Sequence, residues 1–131
     1  MANSRNVGGA PNVWFDGKGG QDGTAQVCSD SLFGYSLHAG EPKPAWVYRK
    51  GVILNSTISG MGNRVFFVET RNEKILSSSG RRLAGSELWR DQFLVALDVD
   101  SGNVIWEQSL ETEDGTVAFY LQASPEGLLL T

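Results

Sequence analysis

The sequence predicts an all-β chain built from repeated antiparallel strand–turn–strand units. Three observations carry that prediction. The run from Leu94 to Trp106 has a degenerate copy that ends at Trp46, and an internal repeat fixes architecture before any single residue does. A second strand–turn–strand outline also recurs, at 58–68 and again at 121–131. Finally, Arg64-Val65-Phe66-Phe67-Val68 and Phe93-Leu94-Val95-Ala96-Leu97 are apolar without alternation. Such runs suit strands buried on both faces, whereas a sheet with one wet face alternates more cleanly.

Residues 1–23 are rich in Gly and Asn, with Gly8-Gly9 and Gly17-Lys18-Gly19-Gly20, and read as an irregular lead-in. Trp14-Phe15 is its apolar anchor. Residues 24–131 form the β-domain. In it, 24–37 and 44–49 predict a first hairpin, with Val27-Cys28-Ser29-Asp30 as the remnant of an earlier return strand. Residues 52–60 and 64–69 predict a second hairpin. The stretch 70–92 interrupts the pattern as an inserted loop or short helix. Its Ser77-Ser78-Ser79-Gly80 is a flexible composition, and Ser86 to Asp91 predicts a short helix with Ser86 as N-cap. Strand 93–97 then turns through Asp100-Ser101-Gly102-Asn103, where glycine reaches positive φ without a Cβ clash. Asp98 is placed to accept hydrogen bonds from the amides of that turn. The last run, Leu128-Leu129-Leu130-Thr131, is apolar and calls for a partner. The chain is therefore expected to be a piece of a longer protein or a truncated reading frame, with a small complete β-domain as the alternative.

Aligning the tryptophans lays Tyr35-Ser36-Leu37-His38-Ala39-Gly40-Glu41 over Leu97-Asp98-Val99-Asp100-Ser101-Gly102-Asn103. The first copy then carries two extra residues within Pro42-Lys43-Pro44 before Trp46. Ala96-Leu97-Asp98, then Ser101-Gly102, then Trp106 resembles the quinoprotein (PQQ-like) β-propeller repeat: Ala-Leu-Asp, two residues, Thr/Ser-Gly, and Trp a few residues on. Gly62-Asn63-Arg64-Val65-Phe66-Phe67 is similar to the Gly-x-x-Val-Tyr strand of the same repeats. The resemblance covers about residues 27–131, and the first copy departs from it at Ser36, where the family has Asp. The Glu87-Leu88-Trp89 and Gln92-Phe93-Leu94-Val95-Ala96-Leu97-Asp98 segments resemble planctomycete-type bacterial propellers of unassigned function. The resemblance implies antiparallel blades, about two plus partial ones, of a propeller that closes with typically 4–8 blades. Gly40, Trp46, Ala96, Leu97, Asp98, Gly102 and Trp106 are then its structural signature. The two tryptophans stand 60 positions apart, more than the roughly 40–50 residues of one blade, and the surplus lies in the 70–92 insert.

Composition narrows function. The net charge is −4 with both signs interspersed, so no basic stripe invites nucleic acid. Arg81-Arg82 is a lone pair that reads as solvated loop charge. No apolar run reaches the 18 residues of a membrane span, and Met1 to Asn6 has no hydrophobic signal core. A periplasmic or exported location follows from the family resemblance alone. The single Cys28 excludes an internal disulfide.

No residue set makes a catalytic constellation. Asp98 to Gly102 superficially resembles a calcium loop, but the Gly falls one position early and Ser109 stands where a bidentate Glu belongs. Glu111, Glu113 and Asp114 precede Gly115 and read as a solvated acidic loop; acid–base work would need them close and desolvated. His38 lies on a turn with no second ligand nearby. Cys28 reads as a small core hydrophobe. Asn55-Ser56-Thr57 fits a glycosylation acceptor but falls in an expected strand and reads as structure. Trp46 and Trp106 read as residues that pack between repeats. The leading expectation is a non-catalytic binding or scaffold segment with no cofactor of its own. Its expected partners are the remaining blades of a longer chain and a protein partner, with the 70–92 insert as the best contact. The alternative is a fragment of a PQQ-dependent alcohol or sugar dehydrogenase, which brings PQQ and calcium. By resemblance that site uses a vicinal Cys pair, and this sequence has only Cys28.

Overall fold

The computed structural model describes residues 4–8, 28–37, 40, 43–77, 82–112 and 120–131. In chain order the strands are β1 (Ser4–Gly8), β2 (Cys28–Ser29), β3 (Leu32–Gly34), β4 (Trp46–Tyr48), β5 (Val52–Leu54), β6 (Ser59–Met61) and β7 (Arg64–Thr70). They continue as β8 (Arg82–Ala84), β9 (Gln92–Asp98), β10 (Val104–Leu110), β11 (Leu121–Ser124) and β12 (Gly127–Leu130). Two single-turn helices, α1 (Glu73–Leu76) and α2 (Gly85–Leu88), flank β8. The fold is mainly antiparallel β, as the sequence predicts; the pairing of β1 with β8 is parallel.

The two apolar strands without alternation lie side by side inside the largest sheet. β7 pairs with β9 over seven residues, from Arg64 opposite Asp98 to Thr70 opposite Gln92. The sheet runs β10-β9-β7-β5-β2-β1-β8, with β6 also on β7. Within it, β5, β7, β9 and β10 form an antiparallel meander. Phe66, Phe67 and Val68 on β7, and Val95, Ala96 and Leu97 on β9, are all buried, because both faces are covered. On one face Ile53, Phe67, Val95 and Leu97 meet Leu32, Trp46 and Tyr48 of the β3–β4 hairpin. On the other, Phe66 and Ala96 meet Leu121, Ala123, Leu128 and Leu130 of the β11–β12 hairpin. Beside that hairpin, Val52, Leu54 and Val68 meet Ile75 of α1 and Leu88 of α2.

Three segments depart from the sequence reading. The run 52–60, expected to be one strand, is broken by a 3-10 turn at Asn55–Thr57. The cause is Thr57, fully buried, whose hydroxyl donates to Leu54 O at 2.7 Å and accepts from Val68 N at 2.8 Å. That side chain replaces a ladder bond, so β5 and β6 reach β7 separately, at Glu69–Thr70 and Arg64–Phe66. Ser86, expected as an N-cap, is the second residue of α2, which begins at Gly85. Ser4–Gly8 is a strand within the stretch read from composition as irregular. Trp14, Phe15, Val27, His38, Arg81, Glu113 and Asp114 lie outside the described residues.

Candidate functional site

The repeat residues come together at one end of the meander. Ala96 and Leu97 are buried in β9, and Asp98 closes that strand. Its Oδ1 accepts from Asp100 N at 3.1 Å, Ser101 N at 2.8 Å and Ser101 Oγ at 2.8 Å. These bonds, Ser101's first, hold the carboxyl below its ordinary range. Its Oδ2 accepts from Asn63 Nδ2 at 2.8 Å, which joins this turn to the β6–β7 turn. Gly102 follows with φ +70°. Asp98 is thus a turn residue whose oxygens are already engaged.

Trp46 and Trp106 hold the same register in their hairpins. Trp46 lies opposite Gly34, and Trp106 lies opposite Ala96, the position that aligns with Gly34. The two residues inserted before Trp46 leave that relation intact. The Trp46 indole is seated between two glycines. A Cβ on Gly34 would meet its ring at 2.4 Å, and a Cβ on Gly102 at 2.5 Å. Its Nε1 donates to Val99 O at 2.6 Å. The tryptophan of the first unit therefore rests on the glycine turn of the second. Trp106 packs on the opposite face, 6.2 Å from Phe66 between ring centroids. Gly40, at the turn matching Gly102, has φ +61°, and a Cβ there would meet nothing within 4 Å.

At the other end of the sheet sits a polar cluster that the sequence reading did not single out. Counting by twos along β7 puts Glu69 on the face of Val65 and Phe67, under the β3–β4 hairpin. It is fully buried. Its Oε1 accepts from Tyr48 OH at 2.7 Å and from Arg71 Nε at 2.8 Å. Its Oε2 has no hydrogen-bond partner among the described residues and abuts Gly51, where a Cβ would meet it at 2.8 Å. Arg71 reaches on to Glu107 with two bonds, Nη1 to Oε1 at 3.0 Å and Nη2 to Oε2 at 2.8 Å. Lys50 Nζ grips the same carboxylate at 3.0 and 2.8 Å. The Arg71 guanidinium stands 3.9 Å over the Phe93 ring, a cation–π arrangement.

Electrostatics divide the two carboxyls. Burial raises the Glu69 pKa despite its bonds to Tyr48 and Arg71. The bonds from Arg71 and then Lys50 pull Glu107 down to about 2. Burial, followed by the bond to Glu69, pushes the Tyr48 phenol up. Burial works against the Arg71 charge, but the bonds to Glu107 and Glu69 outweigh it and raise its pKa. Five side chains from β4, β7, β10 and the loops after β4 and β7 so fasten the hairpin across the sheet. Glu69 is fully buried within this cluster, and the bonds of Tyr48 and Lys50 tie the hairpin to the sheet.

Arg71 and Phe93 also border an open depression of about 530 Å³ with Asn72, Glu73, Lys74 and Asp91. This is the neck of the 70–92 insert. Arg71 N donates to Asp91 O at 2.9 Å, and Asn72 Nδ2 to Asp91 Oδ2 at 2.9 Å. Asn72 Oδ1 caps α1 through Lys74 N at 3.1 Å, and Lys74 bridges to Glu87 at 2.8 Å. With Ile75 and Leu88 buried, both helices lie against the sheet.

The remaining candidates are placed simply. Burial, and then Asp30, push the Cys28 thiol up to about 12, and the residue sits in a core cluster. The acceptor sequence at Asn55 lies in the 3-10 turn, with its Thr57 buried. Glu111 is exposed. Among the described residues no three His, Cys, Asp or Glu side chains gather as a metal site, and no helix is long and apolar enough to cross a membrane. Comparisons of the chain with protein-family models, curated proteins and solved structures found no match.

Proposed function

We propose that this chain is a quinoprotein-like β-propeller repeat segment that serves as a non-catalytic binding or scaffold module. The observation that carries the reading is the seat of Trp46 on the Gly102 turn. One repeat unit locks onto the next through its signature aromatic, as stacked repeats require. Coverage of the meander on both faces by separate hairpins supports the same reading. Both hairpins also turn apolar side chains outward. Val47 is 47% exposed and Leu129 60% exposed, faces suited to further units or a protein partner.

The binding reading rests on how the polar residues are used. Asp98 is engaged in its turn, and Glu69, Arg71 and Glu107 are engaged with one another. Titration of the purified chain with PQQ and Ca²⁺, followed by quinone absorbance and dye reduction, tests it. The expected result is no saturable binding and no turnover. Stoichiometric quinone uptake would replace this reading with the dehydrogenase alternative. For the outward faces, Val47→Lys and Leu129→Lys together are expected to lower binding of an apolar surface dye while leaving the melting temperature unchanged. Unchanged dye binding would remove those faces from the proposal.

A further inference from the structure

We propose that β10 is a self-association edge, where two copies of this chain pair antiparallel through residues 106–110 about a two-fold axis at Gln108. β10 ends the sheet, and no described strand pairs with its outer side. An edge strand presents unpaired N–H and C=O groups, and proteins blunt such edges with Lys, Pro, short strands or bulges. β10 has little of this protection. It is seven residues long, Val-Ile-Trp-Glu-Gln-Ser-Leu, with no Pro and no Lys or Arg. Its one bulge lies between Val104 and Trp106, which leaves 106–110 regular. Ile105, at the bulge, is 44% exposed.

Its one charge is also disarmed. Glu107 is held by Arg71 and Lys50, so the edge carries no free carboxylate to repel a second strand.

Register follows from side-chain pairing. A two-fold axis normal to a sheet sets residues of like parity opposite each other, since side chains alternate faces. An axis at Glu107 would oppose two carboxylates, which is unfavourable. An axis at Trp106 would run the ladder into the bulge. The axis at Gln108 opposes Gln108 with its twin, Glu107 with Ser109, and Trp106 with Leu110. Amides meet amides, a carboxylate meets a hydroxyl, and apolar groups meet on the face that already holds the Phe66–Trp106 contact. A second copy supplies this complement in full, and that selects it as the occupant.

Sedimentation velocity across protein concentrations, with the full chain, tests the proposal. The expected result is a monomer–dimer equilibrium. Gln108→Lys, which opposes two ammonium groups at an exposed position, is expected to weaken it at least about tenfold. Circular dichroism of that variant reports whether the monomer stays folded. A short bis-maleimide should cross-link Gln108→Cys into dimers and leave Val104→Cys monomeric, with the buried Cys28 unreactive in the parent chain. A folded chain that stays monomeric up to its solubility limit overturns the proposal and leaves the edge to a strand of another protein. A dimer insensitive to Gln108→Lys, or one cross-linked through position 104, also overturns it.

Discussion

Gly102 and Gly40 share a left-handed backbone, at φ +70° and +61°, but only Gly102 bears a tryptophan ring. That contrast isolates the contribution of the seat. Gly40→Ala meets open space and carries only the left-handed penalty, about 1 kcal/mol. Gly102→Ala carries the same penalty and also displaces the Trp46 ring, for a total of about 3 kcal/mol. Urea denaturation of both variants measures the difference, and equal losses would show that the ring does not depend on the bare Cα. A second residue-scale prediction concerns Glu69. Its folded pKa is raised, so its contribution is fully present below the unfolded value and is lost as pH rises through the folded one. The stability of Glu69→Gln relative to the parent should therefore climb as pH is raised above the ordinary carboxylate range. Glu107 has the opposite sign. With its pKa lowered to about 2, it contributes above the unfolded carboxylate range and loses that contribution as pH falls towards 2. Melts of Glu107→Gln should converge on the parent in that acid window. A flat difference across pH in either variant would contradict the assignment. One member of this cluster carries a signal in the sequence: an acidic residue on the core parity of an apolar strand, as Glu69 is, marks a buried carboxyl. Its partners carry none, because Tyr48, Lys50 and Glu107 stand far from it along the chain and meet it only through the hairpin and the meander.

Thr57 shows why element boundaries are less legible than element existence. Run by run, 52–60 reads as one strand, because Val52, Ile53 and Leu54 are followed by residues that a strand accepts. A single hydroxyl, donating to Leu54 O and accepting from Val68 N, converts its middle into a 3-10 turn. Thr57→Val keeps the shape and removes both bonds, leaving the buried Val68 N–H without an acceptor. The expected loss is about 2 kcal/mol, read from denaturant melts; a loss below about 0.5 kcal/mol would mean the turn is held by packing alone. The insert obeys a similar logic. Its polar sequence marks it as an interruption, but Ile75 and Leu88 anchor it to the sheet. Asn72, capping α1 and holding Asp91, sets its neck. Asn72→Ala should cost about 1 kcal/mol.

Over the whole molecule, the three β layers are not held equally. β7 and β9 are hydrogen-bonded on both sides and covered on both faces, so their amides should exchange only through global unfolding. The β3–β4 hairpin has three residues per strand. Its attachments are the Leu32 and Tyr48 side chains packed on the sheet, the Trp46 seat at one end, and the Tyr48 and Lys50 bonds at the other. Its amides should open sub-globally, before the sheet does. Trp46→Ala removes one end of that attachment and should speed exchange at the Tyr48 amide at least about tenfold, a change of roughly 1.4 kcal/mol in opening free energy. Exchange at Phe67 and Val95 should change only by the loss of global stability. Native-state hydrogen exchange resolves the two sets of amides. If hairpin and sheet slowed or quickened together in every variant, the layers would form one cooperative unit. The Trp46 seat would then be a core contact rather than a joint between repeat units.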